Sequence, residues 1–338
     1  MPAFRRATVT ALLSDRPGLQ RVDTDQGRAY VLTQLTGPVA VGDDVVLNTT
    51  AVDLGLGTGG WHVVHWNLAR EEWVEPGPGH IMKLRYTSLQ VDAGAAEELH
   101  ADLPRDLGGM PVVACGLHSQ VAPVAVAVLA ARPQARIAYV MTDGAALPLA
   151  LSDLVADMVG AGVIAATVTA GHAFGGDLEA VSVPSALVLA RHALDADLAV
   201  VAMGPGVVGT GTALGTTSVE VAGILDAAAA LGGRPVACLR MSSGDQRSRH
   251  QGVSHHSRTA LGLARSRVLV AAPPGAGYED PRHDVRTVEP PPVDALLADA
   301  GLRVTTMGRG PAEDPLFFAA AGAAGALAAS LLDTPADG

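Results

Sequence analysis

Over the first 75 residues, apolar and polar positions alternate in short stretches. Ala7–Leu13, Leu19–Thr24, Ala29–Thr33 and Asp44–Leu47 are four of them, and Trp61–Trp66 is a fifth. Turn chemistry separates them: Asp15-Arg16-Pro17-Gly18, Asp25-Gln26-Gly27, Thr36-Gly37-Pro38 and Gly42-Asp43-Asp44. Alternation at every second residue marks a strand with one wet face. Short strands at this spacing predict a small all-β domain over residues 1–75, a barrel or sandwich of the OB or SH3-like kind. Gly55–Gly60 reads as a flexible connection. Glu75-Pro76-Gly77-Pro78-Gly79 opens a linker and leading segment over 76–109.

From about residue 110 the pattern changes. Pro111–Gly116, Ile137–Met141, Gly162–Thr169, Leu198–Met203, Pro235–Leu239, Arg267–Ala272 and Arg303–Met307 are candidate strands, most of them unbroken apolar runs. Helical stretches lie between them, at Val121–Arg132, Leu149–Gly160, Ser182–Leu194 and Ser218–Leu231, with Leu316–Leu332 at the end. Strands that are apolar on both sides and alternate with helices imply a parallel sheet covered on both faces. The expectation over 110–335 is a doubly wound, mainly parallel, Rossmann-like α/β domain. No internal repeat is visible.

Composition agrees with one large domain and one small one. The chain has 338 residues, 49% hydrophobic and 17% charged, which is globular rather than disordered. A net charge of −11 and 3% aromatic content argue against nucleic-acid binding and against adhesion to anionic membranes. Cys115 and Cys238 lie in apolar runs and read as reduced core thiols. No leader is expected at the N-terminus, since Ser14-Asp15-Arg16 interrupts the first apolar stretch. Phe317–Leu332 is too short for a bilayer span and reads as a packed helix. A soluble cytoplasmic protein is expected.

Candidate chemistry gathers where the predicted strands end. Parallel strands place these loops at one carboxyl edge, where open α/β sheets bind ligands. The loops carry His118 and Ser119, then Asp143, then His172 and Asp177, then a glycine-rich stretch, then the segment Ser242–Arg258. Six arginines and a single acid, Asp245, lie between Arg240 and Arg267, a local positive patch in an acidic chain. Arg247, Arg249 and Arg258 are the leading anion ligands, because guanidinium forks match planar oxyanions. Gly204, Gly206 and Gly209 spell G-x-G-x-x-G, but Thr210, Gly211 and Thr212 delay the next helix and the following strand leads to Arg240 instead of an acid. That argues against NAD and for a phosphate or carboxylate cradle.

His172, His255 and His256 are candidate acid/base groups, with Asp143 and Asp177 to orient them. His250 is a further site candidate. Ser119, Ser254 and Ser257 are candidate nucleophiles, although Gly252–His256 is not a nucleophile elbow. A divalent metal ion is another candidate ligand. Neighbouring His255 and His256, however, are expected to diverge and not to share one ion. Lys83 is the only lysine among 23 basic residues. It is either a chance surface residue or a titratable amine brought to the same edge.

The stretches Gly79–Thr87, Met141–Gly144, Gly171–Asp177, Gly204–Thr212 and Arg249–His256 resemble the motifs of a bacterial family known only as a domain of unknown function. The resemblance covers nearly the whole chain and implies no reaction. The residues themselves favour an enzyme acting on a small phosphorylated or otherwise anionic metabolite, by hydrolysis or group transfer. The rival expectations are a noncatalytic nucleotide or metabolite sensor that forms a homo-oligomer, and nucleic-acid binding through the β domain.

Overall fold

Five strands close into a barrel in the computed structural model, which describes residues 1–332. They are β1 (Phe4–Arg16), β2 (Leu19–Thr24), β3 (Gly27–Val31), β4 (Asp44–Asn48) and β5 (His62–Asn67), in the order β1-β2-β3-β5-β4. The long β1 makes closure possible. Its first half pairs with β4 and its second half with β2, with register shifts at Val9/Ala11 and Leu12/Ser14 that bend it between the two. The inward positions are small or β-branched apart from Leu47, and include Ala7, Val9, Val22, Ala29, Val31, Val45 and Val64. Short helices α1 (Thr33–Thr36) and α2 (Thr50–Asp53) fill two connections. Beyond the barrel, β6 (Met82–Lys83) pairs with β7 (Val91–Asp92). This first compact unit ends at Gly94 and the second begins at Ala95.

The second unit is built on an eight-stranded sheet. Its strands are β8 (Pro111–Cys115), β9 (Ile137–Thr142), β10 (Ala166–Ala170), β11 (Leu178–Ala180), β12 (Leu198–Met203), β13 (Arg234–Cys238), β16 (Leu269–Ala272) and β17 (Asp284–Thr287). The order is β11-β10-β9-β12-β8-β13-β16-β17, and every neighbouring pair is parallel. A separate small pair, β14 (Met241–Ser242) and β15 (Gly252–Val253), is antiparallel. Alternate residues of the central strands enter two different cores. Val113, Cys115, Val200 and Ala202 meet helices α4 (Val121–Ala131), α5 (Asp153–Gly160), α9 (Val293–Asp299) and α10 (Pro315–Leu331). Val112, Ala114, Ala199 and Val201 meet α6 (Val183–His192), α7 (Glu220–Ala230) and α8 (His255–Leu263). A short α3 (Ala96–Leu99) precedes the sheet. Helices thus lie on both faces, which is why the strands are apolar throughout.

One expected strand is corrected. Arg303–Met307 is not a strand. Leu302 and Val304 are buried in the first core, but the chain then turns, with Thr306 and Arg309 exchanging backbone hydrogen bonds of 2.8 and 2.9 Å. Instead the edge strand is β17, Asp-Val-Arg-Thr, whose half-exposed polar pattern carries little strand signal. No helix among the described residues is long and apolar enough to cross a membrane.

Candidate functional site

The polar segment after β13 is folded, not loose. β14 and β15 turn it back on itself, and two buried carboxylates hold it. Asp314, directly before α10, accepts from Ser242 Oγ at 2.6 Å, Ser243 N at 2.8 Å and Gly244 N at 3.2 Å. Asp245 donates its own N–H to Ser242 Oγ at 2.9 Å. The segment returns to its start when Ser254 N donates to the Arg240 carbonyl at 2.9 Å. Arg240 N donates in turn to Ser257 Oγ at 2.8 Å. Ser254 then caps α8, accepting from His256 N at 3.2 Å. Neither Ser254 nor Ser257 is therefore placed as a free nucleophile.

This fold brings three imidazoles together. The ring centroids of His255 and His256 are 4.3 Å apart, and His250 lies 5.0 Å from the first and 4.9 Å from the second. The expected divergence of His255 and His256 is corrected, because successive residues in the first turn of a helix differ by only about 100°. One nitrogen from each ring lies within 4.8 Å of the others, the one such grouping of possible metal ligands among the described residues. His250 Nδ1 shares a hydrogen bond with Ser254 Oγ at 2.8 Å. Arg240 Nη1 donates to His256 Nδ1 at 3.2 Å, with Thr216 Oγ1 at 3.5 Å from the same nitrogen. The Nε2 atoms of His255 and His256 are buried and have no hydrogen-bond partner. Burial first, then the charge of Arg240, pushes His256 down to about 4. The same causes, with Arg247 added, push His250 down to about 3. His255 is lowered by burial and then by Arg249.

The arginines divide into separate roles. Arg247 is committed to Asp245 by two side-chain bonds, Nε to Oδ1 at 2.9 Å and Nη2 to Oδ2 at 2.8 Å. These bonds hold Asp245 well below the usual carboxylate range. Arg240 and Arg309 approach the same Oδ2 at 3.7 and 3.5 Å. Arg309 Nε also reaches Asp314 at 3.1 Å. Arg249 is exposed beside the cluster. Arg258 sits over the Tyr278 ring at 5.2 Å.

The glycine-rich stretch is a small hairpin, not an open cradle. Gly209 bridges Thr216, Thr210 N donates to the Gly215 carbonyl at 2.7 Å, and the Thr210 and Thr212 hydroxyls meet at 2.8 Å. Thr212 N is taken by Thr210 Oγ1 at 3.2 Å. Gly204 is buried, while Gly206 and Gly211 are exposed. The hairpin still touches the imidazoles. A Cβ on Gly209 would stand 3.1 Å from His256 Cε1, so any side chain there makes the ring give by a few tenths of an ångström.

Of the other candidates, His118, Ser119, Asp143 and His172 follow strands at the same edge, whereas Asp177, expected there, stands directly before β11 at the opposite, amino edge, beside Thr167 near the start of β10. Asp143 Oδ2 accepts from His172 N at 3.0 Å and so ties the ends of β9 and β10 together. Asp177 accepts from Thr167 N and Oγ1 at 2.8 and 2.9 Å and serves the β10–β11 connection. His118 is absorbed in a buried network with Ser152 Oγ at 2.7 Å and the Tyr139 hydroxyl at 3.1 Å, and burial lowers it to about 4. Ser119 is half-buried beside it. Lys83 belongs to the first unit, on β6, and is only 1% exposed, so the surface-residue expectation for it is corrected.

Sequence reasoning missed Glu220, Arg309 and Asp314, and counted Arg240 in the positive patch without giving it a role. Glu220 opens α7 and accepts from Thr142 Oγ1 at 2.8 Å. Burial pushes it up to about 7 against that bond, and Asp143 adds to the rise. It lies where the chain leaves β9 and β12 in opposite directions, which is the crevice such sheets use for ligands. No curated protein and no solved structure compared with the chain matches it. A family model, described as a protein of unknown function (DUF3866), matches residues 28–325. The match spans most of the chain, and the chain belongs to that family.

Proposed function

We propose that the protein is an enzyme acting on a small phosphorylated or otherwise anionic metabolite, by hydrolysis or group transfer. The substrate binds at the carboxyl edge of a doubly wound, Rossmann-like sheet, and a histidine of the cluster moves the proton. The observation that carries this reading is the pair of buried, partnerless Nε2 atoms on His255 and His256. Leaving a buried polar atom unpaired costs about 1–3 kcal/mol, so such atoms are kept where an incoming ligand completes them. An anion seated there raises the proton affinity of the rings and returns them to the range where imidazole is a useful acid or base.

A screen of phosphate monoesters, nucleotides and carboxylates for turnover tests the reading. His256→Ala is expected to lower turnover of any substrate found by roughly 10²–10⁴-fold, the usual contribution of one acid/base group. Turnover that survives both His256→Ala and His255→Ala removes the cluster from the chemistry. Tight binding without turnover would favour a metabolite sensor.

A second reading has one observation in its favour, on the barrel. Tyr30 and Trp61 stack at 4.8 Å, with the Arg28 guanidinium 4.7 Å from the Trp61 ring and Arg21 5.6 Å from that of Tyr30. In an OB-like barrel, aromatic and basic residues on this sheet face suit a short single strand of nucleic acid. Quenching of tryptophan fluorescence by oligothymidylate, lost in Trp61→Ala, would support it; no quenching would end it.

A further inference from the structure

We propose that the ligand of the histidine cluster is a tetrahedral dianion, a phosphoryl group, held at the N-terminus of α8 and bound together with a proton. This deepens the anionic-substrate reading and rests on it. Three observations converge. The first is the tautomer. Arg240 donates to His256 Nδ1, so that nitrogen presents its lone pair and the ring hydrogen sits on Nε2. His256 is 5% exposed and its Nε2 has no partner, so a buried N–H donor faces the cluster with nothing to accept from it.

The second observation is charge. Arg240, Arg247 and Arg249 act on the rings, and Asp245 opposes them. The neighbourhood therefore carries two more positive charges than negative ones. The third is the helix. His255 and His256 occupy the first turn of a nine-residue helix, where backbone N–H groups and the helix dipole favour an anion.

The same facts decide between an anion and a metal ion. The three rings are close enough for a transition metal to be considered. Binding one through His256 Nε2 would move the ring hydrogen to Nδ1, against the Arg240 donor, and would add positive charge to a positive site. A dianion needs neither change. It accepts from Nε2–H and balances the two surplus charges, with exposed Arg249 free to close over it from solvent. The groups that set the ring proton affinities are Arg240, Arg247, Arg249 and Asp245, together with the rings themselves. All but Asp245 lower them. A dianion offsets that field, so the occupied cluster takes up a proton that the empty one refuses.

Sulfate is the probe, because it is a tetrahedral dianion that does not titrate near neutral pH. Calorimetry of sulfate with the full chain, in two buffers of different ionisation enthalpy, counts the protons taken up. We expect net uptake, and affinity that rises toward tenfold per pH unit as pH falls from 8 to 6. Inorganic phosphate and a phosphate monoester should bind at least as well as sulfate, and acetate at least tenfold more weakly. His256→Gln keeps a donor near the Nε2 position, so binding should persist, whereas His255→Gln should lower proton uptake, because His256 Nδ1 already accepts from Arg240 and does not take the proton. His256→Ala should lose tenfold or more in affinity.

Equal sulfate affinity in the native chain and His256→Ala, or binding with no proton uptake, overturns the proposal. So does cobalt binding, seen by its visible absorption, that needs all three histidines and that sulfate does not oppose. If carboxylates bind and turn over while sulfate, phosphate and phosphate monoesters ignore the cluster, this proposal falls and the broader substrate reading stands. If no anion binds, both fall.

Discussion

Gly209 shows how much of the site depends on single atoms. A Cβ there would press on His256 Cε1 at 3.1 Å, and larger side chains would press harder. Gly209→Val is expected to displace the ring and weaken anion binding several-fold while shifting Tm little, since the residue is exposed and outside both cores. Calorimetry beside a melting curve checks both halves. Lys83 makes the opposite case. It is among the largest fully buried side chains, and Arg there would overfill its space. Lys83→Arg should cost about 1–3 kcal/mol of stability by overpacking, read from denaturant unfolding. At this scale the sequence was a partial guide. The crowd of His, Arg and Ser after β13 was visible as composition. Their convergence was not, because it depends on Asp314, roughly 70 residues away from Ser242 and Ser243, and on a first-turn helical geometry that neighbouring histidines do not announce.

Elements were legible in proportion to their burial. β8, β9, β12 and β13 are unbroken apolar runs because both faces are covered, and they read correctly as interior strands. The edge strand β17 carries charge on its wet side, so its run looks like a loop, whereas the buried pair Leu302 and Val304 imitates a strand without having a partner. Helix packing adds a constraint no single-chain pattern reveals. Gly325 of α10 lies so close to α4 that a Cβ would stand 2.3 Å from the Val124 carbonyl oxygen. Gly325→Ala therefore forces two helices apart, and a clear drop in Tm is expected despite the better helix propensity of alanine. Glu220, at the start of α7, gives a pH-dependent case. Its folded value, about 7, lies above its ordinary 4.5, so its protonated form favours the fold. That contribution is present below 4.5 and is lost as pH rises through 7. Glu220→Gln should raise Tm at pH 8 to 9 and change it little at pH 4; equal effects at both would show that burial does not govern this group.

For the whole molecule, the imidazoles set the acid side of stability. His250 and His256 fall from 6.5 to about 3 and 4 in the folded chain, so the unfolded chain binds protons first as pH drops. Their contribution is complete above 6.5 and is lost as pH falls toward 4 and then 3. Tm should decline across that window, and sulfate should restore part of it by binding the folded form. The sheet order carries a different consequence. β8 sits near the middle, yet both its neighbours come later in the chain, β12 from Leu198 and β13 from Arg234. During synthesis an almost wholly apolar strand therefore leaves the ribosome long before either edge can be covered. Such non-local parallel pairing forms slowly and leaves open edges that invite wrong partners. Chains halted before Arg234 should aggregate, and the full chain should refold from denaturant over seconds or longer, with a yield that falls steeply as protein concentration rises.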